Sequence, residues 1–109
     1  MTPKTKQSKK VPSSRSQILA ILAEQCGRIR GFGVRDLYLF GSAARDTMDD
    51  QSDIDMVVEF SHTTYRDYKD FKSFLESILH RHVDLLTAAA VKGRLKQEIQ
   101  KDVVHVQTL

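Results

Sequence analysis

A chain of 109 residues with 40% hydrophobic content has room for one domain with one core and is too short for two. No apolar run approaches the roughly 20 residues of a membrane span, and no apolar stretch follows the lysine-rich start as a secretory signal would require. The net charge of +3 belongs to the tail: Lys4, Lys6, Lys9, Lys10 and Arg15 are five of the 17 basic residues, and the remainder carries 12 basic against 14 acidic residues.

The body is thus mildly acidic and lacks a dense basic face with interleaved aromatics, so a nucleic-acid partner is not expected except through the leader. The lone cysteine, Cys26, cannot form an internal disulfide, and its helical, apolar surroundings read as a plain core thiol. A reducing, cytoplasmic setting is expected.

Residues 1–13 are rich in Lys, Ser and Thr, with Pro3 and Pro12, and read as a disordered basic leader. The domain is expected over 14–109. Ser13 or Ser14 can cap a helix whose apolar face is Ile18, Leu19, Ile21, Leu22, Cys26 and Ile29, ending near Arg30 at Gly31 and Gly33. Val34 to Phe40 is apolar on both faces, as a central strand should be. Gly41-Ser42 breaks it, Ala43-Ala44-Arg45 begins a short helix, and Asp46 to Ser52 is a polar loop.

Asp53 and Asp55 open a second strand that continues through Ile54, Met56, Val57, Val58 and Phe60. Thr63 or Thr64 caps the next helix, with Tyr68, Phe71, Phe74, Leu75, Ile78 and Leu79 on its apolar face. His82 to Leu86 is a third strand containing Asp84. After a connection from Thr87 to Val91, a last helix carries Leu95, Ile99 and Val103, and Val104-His105-Val106 reads as a short edge strand. The fold expected is α/β (α+β): a small mixed sheet of three to four strands with helices packed on it.

Side chains alternate along a strand, so Asp53 and Asp55 share one face while Ile54 and Met56 enter the core. The helical link to the third strand permits a right-handed parallel crossover, which brings Asp84 to the same end of the sheet. An antiparallel first strand would deliver Gly41-Ser42 opposite these carboxylates. Two unit charges 4 Å apart repel by about 4 kcal/mol at an effective dielectric of 20, so something positive must join them. Oxygen-only donors suit Mg²⁺ or Mn²⁺ bridged to phosphates, and the absence of a Cys/His cluster argues against zinc. Without metal, relief of this repulsion predicts that Asp53→Asn raises the melting temperature.

Gly41 lets a phosphate approach the backbone, Ser42 offers its amide and hydroxyl at a helix start, and Arg45 can neutralise phosphate charge. Two ions would activate an attacking hydroxyl and stabilise leaving pyrophosphate, with Asp84 as base or ligand. His62, His80, His82 and His105 are too scattered for a ligand set, and Tyr38 reads as core. Lys92, Arg94, Lys96 and Lys101 make a solvated face or a partner surface.

Gly41-Ser42, then ten residues, then Asp53-Ile54-Asp55 resembles the signature of the DNA polymerase beta-type nucleotidyltransferase superfamily. The stretches LYLFGSAARDTMDDQSDIDMVVEF and HVDLLT are most similar to its minimal nucleotidyltransferase group, which includes antitoxins paired with HEPN-domain toxins. The resemblance covers residues 18–106. It implies transfer of AMP from ATP to a tyrosine hydroxyl of a partner HEPN RNase, in a hetero-oligomer. By motif position, Ser42 would hold the triphosphate, Asp53 and Asp55 the metals, and Asp84 would complete the triad. Where the family often has glycine after Arg45, this chain has Asp46, and Asp49 and Asp50 add further negative charge to the loop.

Two other readings are compatible with these residues. One is a binding antitoxin that neutralises its partner sterically with an idle nucleotide site. The other is a small-molecule nucleotidyltransferase, for which the chain is short because such enzymes generally carry a second substrate-binding domain.

Overall fold

The computed structural model describes residues 11–49, 51–62 and 64–106, with every side chain among them except that of Leu95. Most of the basic leader, Asp50 and the alternative cap Thr63 lie outside these residues. Pro12 is buried, and its carbonyl accepts a hydrogen bond from Arg81 Nε at 2.8 Å, so this end of the leader contacts the body.

Ser14 caps α1 (Arg15–Glu24), its hydroxyl accepting from the Gln17 N–H at 3.2 Å. The single first helix expected from the apolar spacing is two helices, because Gln25 leaves helical geometry (φ −106, ψ 14) before α2 (Cys26–Gly31). The apolar stripe survives the break: Ile18, Leu22 and Ile29 are all fully buried, whereas Cys26 is only half-buried.

The sheet consists of β1 (Val34–Phe40), β2 (Ile54–Phe60), β3 (Val83–Thr87) and β4 (Val104–His105), in the order β3-β2-β1-β4. The expected central strand is indeed interior. β1 runs antiparallel to β2 and to β4, and β2 runs parallel to β3. The crossover between the parallel strands is α4 (Tyr65–Leu79), capped by Thr64, whose hydroxyl accepts from the Asp67 N–H at 3.1 Å. His80 ends α4 in the left-handed conformation (φ 54).

Alternation gives the sheet two unlike faces. Leu37, Leu39, Ile54, Met56, Val58, Val83 and Leu85 point to one side and are buried under α1, α2 and α4. Phe71 of α4 is fully buried there, its ring 5.3 Å from that of Phe32 and 5.8 Å from that of Phe60. The opposite face carries Tyr38, Phe40, Asp55, Val57 and Asp84. It is covered only in part, by the 3-10 turn Ala88–Ala90 and by α5 (Gly93–Lys101), which contributes the buried Ile99. One hydrophobic core thus supports one open, acidic surface.

Candidate active site

Two pairings build the site. Asp55 lies opposite Phe40 in the antiparallel pair and beside Asp84 in the parallel pair. Their neighbours Ile54, Met56, Val83 and Leu85 are all buried, so Asp55 and Asp84 must project together from the open face. Asp53, just before β2, stands on the same side but is half-exposed, with Oδ2 turned to His82 Nδ1 at 3.4 Å. Among the described residues, no three His, Cys, Asp or Glu side chains are gathered closely enough to hold an ion by themselves. What the sheet supplies is an oxygen-only edge centred on Asp55. Such donors fit a hard divalent cation that takes its remaining ligands from phosphate and water.

The end of β1 meets this edge. The helix α3 (Gly41–Arg45) starts at Gly41 itself, two residues earlier than expected, and no side chain caps its first amides. Those N–H groups remain available to an anion. Gly41 has φ 65, and a Cβ built there would overlap Asp55 Oδ2. The turn and the carboxylate are therefore in direct contact, and only glycine fits between them. Ala43 and Ala44 are buried, which anchors the helix and directs Ser42 outward. Arg45 pairs with Asp102 Oδ2 at 3.4 Å, both side chains about half exposed. An exposed pair of this kind is worth about 0–1 kcal/mol, so a triphosphate can displace it.

Two of the loop's acids, Asp46 and Asp49, are engaged away from the Gly41 turn. Asp46 is left-handed (φ 63), which explains why glycine would serve at this position. Its Oδ1 accepts from the Arg15 N–H at 2.8 Å, while Arg15 Nη1 donates to the Ala44 carbonyl at 2.7 Å. Asp46 thereby satisfies the start of α1, and Arg15 closes the end of α3. Asp49 folds onto its own loop, accepting from the Gln51 N–H at 2.8 Å and from Ser52 Oγ at 3.1 Å. Those bonds, the Gln51 amide first, hold its carboxyl below the usual carboxylate range. Replacing Asp46 with Ala should lower stability by about 1 kcal/mol, read as a lower thermal midpoint, and Asp46→Asn should restore most of it. Neither variant should change nucleotide affinity by more than about twofold.

Like-charge repulsion acts on Asp55. Partial burial pushes the Asp55 carboxyl up, the Asp84 and Asp53 carboxylates push it further, and Arg45 opposes them. A folded-state pKa above the unfolded one favours the protonated form in the native state. Its contribution to stability is complete below the unfolded carboxylate pKa and disappears as the pH rises through the raised value. In the absence of divalent ions, Asp55→Asn should melt above wild type at neutral pH, and the gap should close on acidification. Thermal melts across the carboxylate range check this.

Three residues that bear on the site carried no sequence signal. Arg81 donates to the Ser52 carbonyl and to the Pro12 carbonyl, bracing the approach to Asp53 against the start of β3. Glu76 accepts from the Val83 N–H at 3.0 Å and from Lys72 at 3.3 Å, which fixes the strand carrying Asp84. Asp102 reaches Arg45 across 57 positions of chain, a distance at which spacing says nothing.

The family model described as "Nucleotidyltransferase domain" matches residues 19–106, and the chain belongs to that family. Protein adenylyltransferase MntA of Thermococcus cleftensis is 30% identical over 76 residues, 69% of this chain and 77% of that protein. A relative from Methanocaldococcus jannaschii is 35% identical over 79 residues, 69% of this chain and 79% of its own length. Among solved structures, a toxin–antitoxin complex with AMP-PNP has a similar chain at TM-score 0.65, with 23% identity, covering 77% of this chain and 71% of that one. A complex of tri-AMPylated Shewanella oneidensis HEPN toxin with MNT antitoxin gives TM-score 0.59 and 20% identity over 81% of this chain and 71% of that one. These structures share its fold.

Proposed function

We propose that the protein is an antitoxin-type protein adenylyltransferase. It transfers AMP from ATP to a hydroxyl, a tyrosine of a partner HEPN-type RNase toxin, and neutralises that partner within a cytoplasmic hetero-oligomer. The observation that carries this reading is the contact of the Gly41 turn with Asp55, which itself neighbours Asp84. Open anion donors and an acidic edge that touch each other are what a nucleoside triphosphate needs. The adenylyltransferase relative and the AMPylated toxin in complex with an antitoxin supply the nucleotide and the partner class.

The α3 amides and Ser42 bind the β- and γ-phosphates, and Arg45 turns from Asp102 toward them. Asp84, the more exposed of the paired carboxylates, takes the proton of the acceptor hydroxyl. The hydroxyl oxygen then bonds to the α-phosphorus, the bond to the bridging oxygen breaks, and pyrophosphate leaves. Asp53, Asp55 and Asp84 would hold Mg²⁺ or Mn²⁺, two ions, whose charge offsets that of the leaving group.

ATP labelled at either the α- or the γ-phosphorus distinguishes the reading from its competitors. With the co-purified partner and Mg²⁺, the α-label should appear on a partner tyrosine and the γ-label in pyrophosphate. No labelling with either metal, alongside intact neutralisation by Asp55→Asn, would instead establish a binding antitoxin with an idle site.

A further inference from the structure

The open face of the sheet continues past the carboxylates. A cavity of about 340 Å³ lies between it and α5, within the roughly 300–1,000 Å³ range of small-molecule pockets. Its floor is Tyr38 and Val57, which are direct register partners. The next pair on the same face is Phe40 and Asp55. Two residues along a strand cover about 6.6 Å. That span is comparable to the reach from an α-phosphate across one ribose to its base.

The walls have the character a heterocycle requires. Val91, Ile99 and Val103 are apolar, the Gln100 amide can both donate and accept, and Lys96 adds one positive charge at the rim. Val103 is 40% exposed, one of three large apolar side chains so placed among the described residues. The Arg45–Asp102 pair sets the orientation: the C-terminal end of α5 with Gln100, and Val103 just beyond the helix, stand on the phosphate side of the cavity. A second, larger cavity beside Glu59, Phe60 and Ala89 lies at the far end of β2 and lacks this continuity.

The geometry points to the space under α5 as the seat of the nucleoside, with the base lying over Tyr38 and Val57 and its edge read by the Gln100 amide. This assignment rests on the proposed triphosphate site, and makes α5 the element that selects the nucleotide. A side-chain amide can pair with the adjacent N6 donor and N7 acceptor of adenine, and pyrimidines have no counterpart of N7.

The test compares two probes on the full chain with Mg²⁺: a non-hydrolysable ATP analogue and inorganic tripolyphosphate. Calorimetry should show the analogue binding more tightly. Ala88→Leu, which fills the cavity from the 3-10 turn, should weaken the analogue by about tenfold and leave tripolyphosphate within about twofold. Gln100→Ala, an exposed position that should not disturb folding, should weaken the analogue by about fivefold and leave tripolyphosphate within about twofold. If both probes bind wild type and neither variant separates them, the nucleoside lies elsewhere and this inference is overturned while the triphosphate site stands. If wild type binds neither probe, the proposed function itself falls, and the inference with it.

Discussion

Asp55→Asn should reduce AMP transfer by about 10³-fold or more and still give a folded protein that melts, without divalent ions, above wild type. The two effects have one origin. Asp55 is pushed up by burial and by Asp84 and Asp53, so the ionised form is held at a cost to the native state. Replacing the carboxylate by an amide removes that cost and also removes the central oxygen donor of the acidic edge. Steady-state transfer rates and thermal midpoints measured on one preparation would check the pairing. A variant that loses activity and stability together would identify Asp55 as a structural group. A conservative Asp55→Glu should also be inactive, because Gly41 already touches the shorter side chain.

Gly41→Ala should cost about 2 kcal/mol or more and abolish transfer. A non-glycine residue at φ 65 loses about 1–2 kcal/mol in the left-handed region. The added methyl must also displace the Asp55 carboxylate, which moves the acidic edge away from the turn. Denaturant unfolding reads the first effect, and nucleotide affinity with transfer rate reads the second. Ser42→Ala makes the informative contrast. It keeps the backbone amides and should retain the fold, losing only the hydroxyl's share of phosphate binding, about 1 kcal/mol or fivefold in affinity.

The strand boundaries and the facing of Asp55 and Asp84 were legible because burial imposes a period of two. Leu37 and Leu39, Ile54 and Met56, and Val83 and Leu85 name the inner face, so the acids between them name the outer one. The first helix was less legible. Its apolar stripe runs unbroken through Gln25, and hydrophobic spacing cannot report a backbone that leaves and resumes helical geometry. The role of Asp46 was hidden for a different reason. Its partner, the Arg15 amide, is a backbone group 31 residues away, with no side-chain signature. The negative charge of Asp46 is taken up at a helix start. Arg81 and Asp102 were invisible on the same ground, since each acts through contacts between distant segments.

Placement of α5 follows from tertiary contact as well. Ile99 alone of its described residues is buried, and Asp102 at its C-cap holds Arg45. The basic residues Lys96 and Lys101 suggested only a solvated or partner-facing surface. Lys96 in fact lines the cavity over Tyr38 and Val57, which became apparent once the sheet had two distinguishable faces.

Whether a nucleotide's phosphates and a divalent ion assemble between residue 42 and the three acids can be seen residue by residue. Mn²⁺ added with a non-hydrolysable ATP analogue should broaden the amide resonances of 41–45, 53–56 and 83–85 first, and Asp55→Asn should remove the effect. Broadening centred on Asp36 and His105, or none at saturating analogue, would contradict the site.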